Sequence, residues 1–137
     1  MKRILSLIGV VLVVGCGLID GPYETYHDNG QLREKGTMKD GKWDGPVEWY
    51  HDNGQLFQKG TYKDGKPDGP SETYHENGQL EERGTIKDGG WDGLYESYNR
   101  DGGLIMKGMY RDGEECGEWI KGGLSFTYRP CLRIVWN

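Results

Sequence analysis

The sequence predicts an all-β chain: an elongated antiparallel meander of tandem β-hairpins, about 24 residues per repeat. Three observations carry this expectation. A stretch that begins at Gly21 is written again from Gly45 and Gly69, and more loosely from Gly93. Every copy holds two turn signals, Asp28-Asn29-Gly30 and Asp40-Gly41 in the first and their counterparts in the others, where glycine adopts positive φ without strain. The segments between turns are roughly 8 to 10 residues, suited to strands and punctuated by Gly and Pro.

The first element in chain order lies outside this pattern. Lys2 and Arg3 precede an apolar run over residues 4–14, broken by Ser6 and Gly9, and Val13-Val14-Gly15-Cys16 follows. This is the layout of a signal peptide over residues 1–15. A run of 11 residues reaches about 16 Å as a helix, against about 30 Å of bilayer hydrocarbon, so it is too short to span. The segment around Cys16 resembles the lipobox of bacterial lipoproteins. That resemblance implies cleavage before Cys16, lipidation of its thiol and, with Gly at position 17, an outer-membrane destination in a Gram-negative cell. Residues 16–20 would then be a short tether. Stable anchoring needs more than one acyl chain.

Without residues 1–15, and so without Lys2 and Arg3, the remaining 122 residues carry 15 basic against 22 acidic side chains, net −7. Nucleic acid is therefore not the expected partner, because phosphate binding needs clustered Lys and Arg. With Cys16 lipidated, Cys116 and Cys131 remain. In an oxidising compartment they are expected to form a disulfide; two unpaired thiols are the alternative.

Within a repeat, side-chain parity sets the expected register. A three-residue loop at Asp28-Asn29-Gly30 pairs Tyr26 with Leu32, and a two-residue Asp40-Gly41 turn sets Met38 opposite Trp43. Counting on to Tyr50 fails by one residue, which calls for a one-residue bulge at Gly45-Pro46. One face is then expected to gather Tyr26, Leu32, Met38 and Trp43. The other is expected to carry His27, Lys35, Thr37, Trp49 and Phe57. Only 34% of residues are hydrophobic, so nine Tyr and five Trp must supply most of the burial. Four repeats, residues 21–44, 45–68, 69–92 and 93–116, make a ribbon of roughly 40 Å. A single layer hides one face at most, so it must curl, form a homodimer or offer its apolar face to a partner. Residues 117–137 are expected to cap the open edge, with strands at 124–128 and 132–136.

The skeleton Lys59-Gly60-Thr61-Tyr62-Lys63-Asp64-Gly65-Lys66-Pro67-Asp68-Gly69 resembles a MORN repeat. The added Glu-x-Tyr-His-x-Asn-Gly-Gln-Leu segment is similar to the bacterial MORN variant of YwqK-type proteins, an antitoxin-like family. The resemblance covers Gly21 to about Gly117. It implies strings of β-hairpins in interaction or scaffolding roles, with an antitoxin role in some members. The fourth copy departs from it in lacking the His and Gln.

Residues with chemical potential recur too regularly to form one site. His27, His51 and His75 fall two strands apart, about 9.6 Å, whereas one metal ion needs ligands at about 2.0–2.1 Å. Glu24, Glu48, Glu72 and Glu96 are four equivalent carboxylates, and a catalytic acid and base need different environments. They are expected to form cross-strand charge pairs. The Asp-Gly loops lack the ligand alternation of a calcium loop. No catalytic residue, metal or cofactor is expected, and the chain is not expected to be an enzyme. A protein partner in the cell envelope is expected instead. Its contacts fall where the copies differ, at Tyr23, Val47, Ser71 and Tyr95, at Thr25, Trp49, Thr73 and Ser97, and at Arg33, Phe57, Glu81 and Ile105. The candidates for binding are Tyr23, Trp49, Phe57, Tyr95 and Ile105.

Overall fold

Turns placed every dozen residues leave room for strands alone, and the structure, a computed structural model, describes residues 18–132 in those terms. The strands are β1 Gly21–Tyr26, β2 Leu32–Lys39, β3 Lys42–Tyr50, β4 Leu56–Lys63, β5 Lys66–Tyr74, β6 Leu80–Lys87, β7 Gly90–Trp91, β8 Gly93–Tyr98, β9 Leu104–Arg111, β10 Glu114–Lys121 and β11 Leu124–Thr127. All join one antiparallel sheet in chain order, with β7 as a side branch on β6. The signal-peptide and Cys16 readings fall on residues outside those described. Of the strand expected at 132–136 only Leu132 is described, and it is not in a strand.

Both turns form as their residues require. In the wide turn the Gly30 amide donates to His27 O at 2.8 Å, and the His27 amide donates to Gln31 O at 2.8 Å. Gly30 has φ 84°, the left-handed position of a three-residue loop. Tyr26 accordingly faces Leu32. In the sharp turn Asp40 and Gly41 have φ 50° and 71°, and Met38 faces Trp43. An aspartate tolerates that conformation better than most residues.

The expected division of faces is corrected by a bulge in a different place. Tyr26 pairs with Leu32 and Thr25 pairs with Glu34, so Arg33 is an extra residue. Phe57, Glu81 and Ile105 occupy the same extra position in the later repeats. At Gly45-Pro46 the excess is two residues rather than one, because Gly36 pairs with Val47 and Met38 with Trp43. Two extra residues keep the parity, whereas the single one at Arg33 inverts it. Tyr26 and Leu32 therefore share a face with Lys35 and Thr37. Trp49 moves to the face of Met38 and Trp43.

That second face is the core. Tyr23, Trp43, Trp49 and Tyr62 form a chain of ring contacts at 5.6, 6.4 and 5.4 Å. Trp91, Tyr95, Tyr110 and Trp119 form another at 5.1, 5.5 and 4.9 Å. Tilted and edge-to-face pairs of this kind add to plain area burial. The rings lie over strand glycines. A Cβ on Gly36 would stand 2.9 Å from the Trp43 ring, and one on Gly84 2.9 Å from Trp91. Pro67 fills the tryptophan slot of the second hairpin pair, and there a Cβ on Gly60 meets nothing closer than 3.5 Å. Burial is greatest toward the C-terminal end, where Trp119 is 1% exposed.

Candidate interaction surface

The face opposite the aromatic core carries a repeated polar unit. A tyrosine hydroxyl donates to the glutamate two residues before it: Tyr26 to Glu24 at 2.7 Å, Tyr50 to Glu48, Tyr74 to Glu72, and Tyr98 to Glu96 at 2.9 Å. A cation from the preceding repeat then reaches the same carboxylate. Lys35 pairs with Glu48 at 2.9 Å, Lys59 with Glu72 at 2.9 Å, and Arg83 with Glu96 at 2.5 Å. Alternation in the strands places these groups on one face, and the shared register places them opposite one another.

Glu48, Glu72 and Glu96 are held ionised. The Tyr50 hydroxyl, then the Lys35 ammonium, hold Glu48 below the usual carboxylate range. At Glu72 burial opposes the shift, but Tyr74 and Lys59 outweigh it. Glu96 is nearly buried and takes a second cation, Lys107 at 2.9 Å. Lys107, acting against the burial and with help from Arg83 and Tyr98, depresses it to about 2. A general acid needs the opposite shift. These glutamates therefore act as clamps between repeats.

The histidines clamp repeats as well. The His27 Nε2–H donates to Tyr50 O at 2.9 Å, His51 to Tyr74 O at 3.3 Å and His75 to Tyr98 O at 3.0 Å. Asn29 Nδ2 donates to Asp52 O at 2.6 Å, and Asn53 and Asn77 do likewise one repeat on. Each half-buried imidazole is thus directed at a neighbouring carbonyl, a partner not visible from the spacing alone. Among the described residues no group of three or more His, Cys, Asp or Glu is placed to hold a metal ion.

Of the five binding candidates, the structure brings Tyr23, Trp49 and Tyr95 to the aromatic face. Tyr95 is 7% exposed and donates to Glu82 at 2.6 Å, so it belongs to the interior and not to a docking surface. Trp49 is half-buried and donates through Nε1 to Glu34 at 3.0 Å. Tyr23 packs on Trp43. Phe57 and Ile105 are at the bulge position, 40% and 43% exposed. Phe57 rests on the His51 ring at 5.0 Å. The varied positions therefore sort by depth. Val47, Ser71 and Tyr95 are buried, whereas Arg33, Phe57 and Ile105 are exposed at the bulge.

Sequence reasoning missed a groove of about 370 Å³ at the C-terminal end, lined in part by Leu94, Met109, Ile120 and Phe126. A signal for it was present. Leu94 replaces the proline of the earlier copies, and Met109 replaces their threonine. Beyond the groove the chain is pinned by Cys116–Cys131, with Cα atoms 5.1 Å apart. The Gly117 amide donates to Arg129 O, and the Tyr128 amide donates to Gly117 O, both at 2.8 Å.

Comparison with known families agrees with this geometry. The MORN repeat variant matches residues 19–40, 43–64 and 67–88, so the first three hairpins are MORN-variant repeats. The matched segments keep the 24-residue step and leave out the fourth, looser copy. No curated protein matches the chain.

Proposed function

We propose that this protein of MORN-variant hairpins is a non-catalytic protein-interaction module, tethered to a membrane of the cell envelope by a lipid on Cys16. One observation carries the interaction reading. The repeated polar groups are used within the sheet, while the exposed apolar residues Phe57, Ile105, Leu94 and Ile120 stand at positions where the copies differ. A scaffold with self-satisfied repeats and varied apolar projections is suited to contact another protein. The lipobox-like segment before Cys16 supports the tether.

Two measurements test this. Metabolic palmitate labelling of the full chain is expected to disappear in Cys16→Ala; persistent labelling refutes the tether. Cross-linking of the full chain in envelope membranes is expected to yield a discrete adduct that weakens in Phe57→Asp and in Leu94→Asp. An adduct indifferent to both substitutions refutes the assigned surface.

The second reading is an antitoxin or immunity protein that neutralises one effector. The Glu-x-Tyr-His-x-Asn-Gly-Gln-Leu segment favours it by its likeness to the antitoxin-like family. It expects a toxic gene product beside this gene, relieved by co-expression of this chain.

A further inference from the structure

The clamps between repeats run in one direction, and this makes the two ends of the sheet unequal. Each repeat offers three groups forward: a cation, an imidazole and an amide. The next repeat receives them on a glutamate, a tyrosine carbonyl and a loop carbonyl. For the second repeat these are Lys35 to Glu48, His27 to Tyr50 O and Asn29 to Asp52 O.

At the C-terminal end the series is stopped. Lys107 faces Ile120 rather than a glutamate and turns back to Glu96. Asn99 replaces the histidine, and its Oδ1 accepts the amides of its own loop, Asp101 at 3.0 Å and Gly103 at 2.7 Å. Strand β11 is short and the disulfide closes the segment after it.

At the N-terminal end no such stop occurs among the described residues. Glu24 receives Tyr26 but, among the described residues, no cation. Tyr26 O and Asp28 O receive no imidazole or amide from those residues either. The chain before β1 runs on in register, since Ile19 O accepts the Gly41 amide at 3.0 Å as Trp43 O accepts Gly65 at 2.9 Å. Residues 18–26 thus repeat the course of Lys42–Tyr50, with the outer edge unpaired among the described residues. A long open edge of this kind is a template for strand addition.

We propose that the β1 edge is a docking site for a hairpin of the same repeat type carried by another polypeptide, which supplies Lys, His and Asn to Glu24, Tyr26 O and Asp28 O. A second copy of this chain is a poor occupant, because its own forward-facing strands are already paired inside its sheet and its last repeat lacks the groups required. The inference rests on the interaction-module reading and names the partner's chemistry.

The test is binding of a synthetic peptide with the sequence of residues 45–63 to the detergent-solubilised full chain. An isolated hairpin is marginally stable, so the same peptide closed by a terminal disulfide is measured beside it. Saturable binding is expected, with amide shift changes confined to residues 18–28. Replacing His51 or Lys59 of the peptide by Ala is expected to weaken binding roughly fivefold or less, the effect of one hydrogen bond or ion pair. The effects of Glu24→Gln in the chain and Lys59→Ala in the peptide are expected to be less than additive, as for residues in contact. Absence of binding by both peptides, or shifts centred on β11, overturns the proposal. Cross-linking of an envelope protein through Phe57 or Leu94 without peptide binding would refute the edge while leaving the module.

Discussion

Replacing Glu96 by Gln tests the interlocking of repeats where the structure makes it strongest. Glu96 is 3% exposed, accepts the Tyr98 hydroxyl at 2.9 Å, and lies 2.5 Å from Arg83 and 2.9 Å from Lys107. Its carboxyl titrates at about 2 in the folded chain against 4.5 for the free group. At 1.36 kcal/mol per unit, that gap corresponds to about 3 kcal/mol of folding free energy. The sign follows from the direction of the shift. A depressed carboxyl stabilises the fold above its unfolded value, and the contribution is lost as pH falls from about 4.5 to about 2. Glutamine keeps an acceptor for Tyr98 and loses the charge. Arg83 and Lys107 are about half exposed and stay hydrated, so no buried cation is stranded. Urea unfolding at pH 7 is then expected to show Glu96→Gln less stable by about 2–3 kcal/mol. The difference should shrink toward zero near pH 2. Parallel curves for the two chains between pH 5 and pH 2 would refute the assignment of the acid sensitivity to Glu96.

Other substitutions separate the parts of the scaffold. Gly84→Ala is expected to cost about 1–3 kcal/mol, because its methyl would press on the Trp91 ring, whereas Gly60→Ala is expected to be neutral or slightly stabilising; equal effects in thermal unfolding would refute the stacking of rings on glycine. Cys116→Ser is expected to lower stability by about 3 kcal/mol through the 15-residue loop that the disulfide closes, with the loss read as an earlier urea midpoint. His27→Ala is expected to cost about 1 kcal/mol and to speed amide exchange at the wide turns of the first two repeats, since His27 holds Tyr50 O.

The meander and both turn types were legible because they rest on local rules. Asp-Asn-Gly and Asp-Gly encode their conformations within three residues, and the period repeats the evidence. The assignment of faces was not legible, because it depends on one extra residue per repeat. The bulge position is held by Arg33, Phe57, Glu81 and Ile105, which share no side-chain property. A bulge that any side chain tolerates leaves no composition signal, yet it exchanges the faces of Tyr26 and Trp49 relative to Met38 and Trp43. The histidines illustrate the same limit from the other side. Their regular spacing argues against a shared metal ion, but the partner of His27 is a main-chain carbonyl 23 residues away. A backbone acceptor carries no side-chain signature.

The same physics separates what is repeated from what can recognise a partner. A group that clamps one repeat to the next must recur in every copy that a full repeat follows, since losing it leaves a neighbouring carboxylate or carbonyl unpartnered. The Tyr-Glu-Lys, His and Asn positions are held to that condition. The bulge is not, because its side chain projects beside the ladder and the backbone alone sets its geometry. Variation therefore accumulates at the bulge and toward the C-terminal end, where Leu94 and Met109 line the groove without breaking a clamp and Ile120 stands in place of the receiving glutamate, ending the series. The first copy differs from the last in the reverse sense. It keeps every residue of the repeat pattern at its outer edge, including the receiving groups, although among the described residues none supplies a cation, imidazole or amide to them. A carboxylate and two carbonyls at an edge that no described residue fills are what distinguish a surface prepared for an incoming hairpin from one that has been closed.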